Sequence, residues 1–141
     1  MPSATLPFRF DAVGLPAAPA LIALMPAEIS TKERLFDELA QRLRFPDYFG
    51  ANWNALWACI RDLSWLPEGA VVLQHSDVPL TGDVASLKTY LSILNDATQK
   101  KWLVNGRDAR DIVVIFPPES RERIAWLLHA ASAEQRKRDR G

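Results

Sequence analysis

Five aromatic rings, a proline and a glycine fall within the sixteen residues Phe45-Pro46-Asp47-Tyr48-Phe49-Gly50-Ala51-Asn52-Trp53-Asn54-Ala55-Leu56-Trp57-Ala58-Cys59-Ile60. The chemistry such residues supply is recognition rather than bond-making. Tyrosine and tryptophan give contact area and a polar handle at low entropic cost. Rings are costly to leave in water, so Tyr48, Phe49, Trp53 and Trp57 either anchor a loop or form a contact surface. Groups suited to catalysis are sparse. Cys59 is the sole thiol, and the two histidines, His75 and His129, are far apart and fit no metal-ligand spacing. His75 follows an apolar run and reads as a polar residue entering a loop. No phosphate-cradling glycine loop, nucleophile elbow or pair of catalytic carboxylates is present. These residues give no reason to expect an enzyme, a metal or a cofactor.

The rings need elements to position them. Pro46 disfavours helical backbone at Phe45 and is expected to end a preceding helix. Gly50 is expected to take a positive φ where the loop reverses. Asn52 is a suitable N-cap for a helix from Trp53 to Leu63. At about 100° per residue, Leu56, Cys59, Ile60 and Leu63 share a core face. Asn54, Ala58 and Arg61 lie opposite, Asp62 falls to one side, and Trp57 and more weakly Trp53 sit on the boundary. Phe49 and Trp53 are expected to pack beside Leu56, and Tyr48 and Trp57 to be presented.

The rest of the chain alternates apolar runs with helical patterns. Ala20 to Leu24 reads as a buried strand. Ser30-Thr31-Lys32-Glu33 has capping-box spacing, followed by Leu35, Phe36, Leu39, Ala40 and Leu43 at helical spacing. Pro67-Glu68-Gly69 marks a turn into a second strand, Ala70 to Gln74. Val84 to Thr98 reads as a helix with Leu87, Tyr90, Leu91 and Leu94 inward. Asp111 to Phe116 is a third strand, stopped by Pro117-Pro118, and Arg121 to Gln135 is helical before the basic end Arg136-Lys137-Arg138-Asp139-Arg140. Strands separated by helices predict an α/β fold with a three-stranded parallel sheet covered by helices. Residues 1–18 are expected to form an irregular arm, 19–118 the domain, and 119–141 a helical extension that docks on it.

At 141 residues and 48% hydrophobic the chain can bury one good core. One cysteine excludes an internal disulfide and suits a reducing cytoplasm. The start lacks a basic region followed by a long apolar run, and Ala17 to Met25 is too short to span a bilayer. A soluble, cytoplasmic protein is expected. The neutral total conceals a division: residues 46–98 hold six acids against Arg61 and Lys88, and residues 99–141 hold six acids against ten bases. An acidic middle around the aromatic loop suits a basic protein partner. RNA contact through the five-residue basic end has thinner support, and neither it nor any membrane is an expected partner.

The pattern Pro46-Asp47-Tyr48-Phe49-Gly50-x-Asn52-x-x-Ala55-Leu56-Trp57-x-Cys59 resembles the signature of the barstar family, intracellular inhibitors of secreted ribonucleases. The match is ungapped from Phe45 to Leu63, with weaker agreement in element order from about Leu21 to Phe116; the C-terminal extension departs from the family pattern. The resemblance implies a barstar-like fold and a ribonuclease or ribonuclease-type toxin as partner. The loop and helix would enter the enzyme's active site, with carboxylates standing in for RNA phosphates. It implies partner-binding roles for Tyr48, Gly50, Asn52, Asn54, Trp57, Ala58 and, aligned by its apolar pattern, Asp96; the acids Asp47 and Asp62 and the boundary ring Trp53 are counted with them as candidate contacts on this segment's own chemistry. Two positions that are acidic in the family are Asn54 and Ala58 here, and neither carries charge. A barstar-like interaction module without ribonuclease inhibition is the alternative.

Overall fold

The computed structural model describes residues 7–11, 15, 19–47, 49–98, 103–104, 107–108 and 111–129. The elements run β1 (Leu21–Met25), α1 (Lys32–Arg42), α2 (Trp53–Asp62), β2 (Val71–His75), α3 (Val84–Thr98), β3 (Leu103–Val104), β4 (Arg107–Asp108), β5 (Ile112–Ile115) and a 3-10 turn at Pro118–Ser120. Residues 121–129 form a further helix, α4. β1, β2 and β5 make a parallel sheet in that order, with Leu21 beside Val71 and Val71 beside Ile112. The expected α/β architecture is therefore the observed one.

Because side chains alternate along a strand, this register puts Ala23, Met25, Val71, Leu73 and Val114 on one face, where the helices bury them. On the other face Ile22 and Leu24 are 54% and 50% exposed, so the helical cover is one-sided at β1. Leu35, Phe36 and Leu39 of α1, Leu56 and Ile60 of α2, and Leu87, Tyr90, Leu91 and Leu94 of α3 fill the core. Ile124, Leu127 and Leu128 of α4 join it, while Trp126 is 65% exposed. Residues 7–11 run beside β5. The Arg9 N–H donates to the Val114 carbonyl (2.8 Å), the Phe116 N–H to the Arg9 carbonyl (2.9 Å), and Phe8 and Phe10 enter the core. Apart from Leu15, the rest of the expected N-terminal arm, residues 130–135 of the expected C-terminal helix and the basic residues 136–140 lie outside the described residues.

Several local expectations are corrected. The cap of α1 is Thr31, whose hydroxyl accepts from the Arg34 N–H at 3.2 Å. Residue three after the cap is then arginine, which cannot return a bond as Glu33 would in a capping box. The helix ends before Pro46 acts. Arg44 takes φ 56° and the Phe45 N–H donates to the Ala40 carbonyl at 2.9 Å, a Schellman closure built on a non-glycine residue. β3 and β4 form an antiparallel pair that periodicity did not reveal, although Asn105-Gly106 between them is a hairpin signal. Gly69, entering β2, has φ 127°, and a Cβ there would sit 3.2 Å from the Ala20 nitrogen.

His75 is the largest departure. It ends β2 inside the core rather than entering a loop, and is 3% exposed. Its Nδ1 lies 2.9 Å from the Ile115 carbonyl oxygen, which can only accept, so Nδ1 carries the proton. Nε2 then accepts from the Tyr90 hydroxyl at 2.7 Å. The Phe116 ring stacks on the imidazole with centroids 4.1 Å apart. Burial lowers the His75 pKa to about 4 against a smaller opposing effect of the Ile115 bond, and burial raises that of Tyr90. One neutral imidazole thus ties β2 and β5 to α3, which strand-end position alone could not foretell.

Candidate functional site

The aromatic segment becomes a loop leading into α2. Asn52 is the N-cap in extended backbone, with Oδ1 accepting from the Ala55 N–H at 2.8 Å. Its Nδ2 donates to the Gly50 carbonyl at 3.3 Å, so the cap also closes the loop. The positive φ expected at Gly50 belongs instead to Ala51, at 50°. Gly50 eases a close approach: a Cβ would crowd Asn52 Nδ2 at 3.2 Å. Asn52→Ala is expected to lower stability by about 1 kcal/mol in urea denaturation, and Asn52→Ser to retain most of it.

An anchoring set of rings holds this loop to the core. Phe36 meets Trp53 edge-on at 4.9 Å and Phe49 at 6.2 Å. Phe45 packs against Phe49 at 4.8 Å and Trp65 at 6.0 Å. The Trp65 Nε1–H donates to the Leu43 carbonyl at 2.9 Å. Phe49 and Trp53 are therefore staples, as their spacing suggested, with Phe36 and Trp65 as partners that the segment alone did not reveal.

The other side of α2 faces outward. Asn54 and Ala58 are exposed, as are Asp47, Gly50 and Asn52 around the helix start. Tyr48 lies outside the described residues. Trp57 is half-buried, and its Nε1–H points to Asp96 Oδ2 on α3 at 3.4 Å. The guanidinium carbon of Arg61 lies 3.9 Å from the centre of the Trp57 ring. Asp62 turns one carboxylate oxygen to the Ser64 N–H at 3.3 Å, binding it to the turn after α2. The fold thus gathers Asn54, Trp57, Ala58 and Asp96 with Arg61. Helical periodicity places Arg61 on the outward face, and its position four residues after Trp57 is the spacing at which helical side chains meet.

The chemistry open to this face is association. Cys59 is 4% exposed, and burial first, then the Asp62 carboxylate, raises its pKa, so the thiol stays protonated and unreactive. A separate open cleft of about 340 Å³ lies at the carboxyl ends of β2 and β5, lined by Phe10, Gln74, His75, Ser76, Phe116 and Glu119. Both ring nitrogens of His75 are engaged within the core and do not serve that cleft. Among the described residues, no group of three or more His, Cys, Asp or Glu side chains is placed to hold a metal ion. No described helix is long and apolar enough to cross a membrane.

Over 35 residues the chain is 49% identical to a protein of Bacillus subtilis (strain 168) named "Putative ribonuclease inhibitor YrdF"; the match covers 25% of this chain and 38% of that protein. The family model described as Barstar (barnase inhibitor) matches residues 20–118, from the residue before β1 to the start of the 3-10 turn. Since that match takes in the parallel sheet, α1 to α3 and the loop between the first two helices, the chain belongs to the barstar family.

Proposed function

We propose that the chain is a protein inhibitor of immunity or antitoxin type, which blocks the active site of a ribonuclease or ribonuclease-type toxin through residues 46–62 and Asp96. The observation that carries this reading is the approach of Trp57 on α2 to Asp96 on α3. It sets a carboxylate from a second helix against the tryptophan that neighbours the exposed, small side chains of α2. A ribonuclease site is a basic concavity built for phosphates. A ridge of loop and helix with a carboxylate at its flank complements it, and the acidic bias of residues 46–98 steers the encounter. Asp47 lies on the loop before α2 and Asp62 at the end of that helix, and the family resemblance assigns Tyr48 a contact role on the same loop. The name of the Bacillus relative and the family description support the same class. The reading assigns no enzymatic step to the chain, and its single buried thiol suits the cytoplasm.

The loss of acid at Asn54 and Ala58 bears on the partner. A basic site would find two neutral side chains where the family resemblance implies carboxylates, and a cation left buried without its counter-charge is costly. Barnase is therefore expected to be held poorly, and the partner to have a less basic site. The same two residues favour a second reading, an interaction module of this fold without inhibition. Titrating the RNA-cleaving activity of barnase and a panel of basic ribonucleases distinguishes them. Stoichiometric inhibition of a panel member with weak inhibition of barnase is expected. Nanomolar inhibition of barnase contradicts the shift of partner, and no inhibition by folded protein favours the second reading.

A further inference from the structure

Arg61 is a cation set within the proposed binding face and held there. Its guanidinium lies over Trp57 at 3.9 Å, within cation–π range, while Trp57 in turn reaches Asp96. The side chain is half-buried and its Nε is closed to solvent, so it is more enclosed than a surface lysine. Asp62 follows Arg61 in the chain and Asp96 meets the same Trp57 ring system, so the face carries both signs of charge.

We infer that Arg61 selects the partner: it disfavours a ribonuclease that presents a cation opposite the Trp57–Arg61 stack and favours one that presents a carboxylate there. This rests on the inhibitor reading and specifies the surface that the inhibitor accepts. Like charges brought together across an interface oppose binding and suppress wrong partners, whereas opposite charges fix register. Partial exposure moderates the effect, and salt weakens it further.

The test uses barnase as a basic probe. In the background N54D/A58D, which restores carboxylates at two exposed positions of α2, binding is measured with Arg61 intact and with Arg61→Gln or Arg61→Met. Methionine keeps an apolar stem over Trp57 and drops the charge. Both substitutions are expected to tighten binding by about tenfold at low salt, with a smaller gain at high salt. A purely structural Arg61 predicts the opposite sign for Arg61→Gln, because Trp57 loses its cover. Binding by N54D/A58D that neither substitution improves overturns the inference and leaves the inhibitor reading standing. Absence of barnase binding in every folded variant likewise overturns the inference, while the inhibitor reading is decided by the ribonuclease panel.

Discussion

Between pH 7 and pH 4 the protein is expected to lose about 3 kcal/mol of stability through one side chain, His75. The imidazole is neutral and fully engaged in the fold, with Nδ1–H on the Ile115 carbonyl and Nε2 accepting from Tyr90. Burial takes its pKa from an ordinary 6.5 to about 4. Between those values the unfolded chain binds a proton that the native state refuses, so stability rises with pH across the window and falls as pH drops. The loss begins near the unfolded pKa and levels off below about 4, where the native state also takes the proton and Nε2 no longer accepts from Tyr90. Asp83 contributes in a lower range. Its pKa is depressed mainly by bonds from the Ser86 hydroxyl and N–H, so its contribution disappears only as pH falls below the ordinary carboxylate value. Chemical denaturation from pH 7 to pH 4.5 should show the slope in wild type and its absence in His75→Gln, which is less stable at pH 7. Parallel curves would remove His75 from the account. An NMR titration of the ring reads the same quantity without a substitution.

On the proposed reading, Trp57→Ala is expected to weaken inhibition of the partner ribonuclease by about 100-fold or more, the loss typical of a central aromatic anchor. The ring is the hinge of the face: it carries the Arg61 guanidinium on its surface and directs its N–H to Asp96. Without it both charged groups lose their placement and a partner meets a depression where area had been. Stability should fall much less, by about 1–2 kcal/mol, because Trp57 is half-buried while Leu56 and Ile60 supply the packing of α2. Trp57→Phe keeps the stack and loses the N–H, so it should fall between wild type and alanine. Inhibition constants and thermal melts on the three proteins check this. Equal losses in binding and stability would mean that the ring is a core residue and no more.

Local, periodic and capping information was legible in the chain. Val84 to Thr98 repeats Leu87, Tyr90, Leu91 and Leu94 on one face, and α3 has those bounds. Asn52 caps α2 because a short amide before an apolar repeat has one good use there. β1 and β2 each stand one residue beyond the expected run, since the runs' first residues, Ala20 and Ala70, pair in the turn before the sheet. What sequence could not show is set by distant contacts. His75 is explained by Tyr90 and Ile115, and Trp57 by Asp96 across 39 residues. The positive φ at Arg44 and Ala51 was equally hidden, because both residues are poor formers of that backbone and only the surrounding packing imposes it. β3 and β4, two residues each, are too short for any period.

Competition for the ribonuclease active site tests the central claim most directly. A ribonuclease that the chain inhibits is saturated stepwise with a mononucleotide product, and binding of the chain is followed by calorimetry. Occlusion by the loop, α2 and Asp96 predicts that apparent affinity falls in proportion to nucleotide occupancy, with no ternary complex. Undiminished binding of the chain to the nucleotide-saturated enzyme would contradict it.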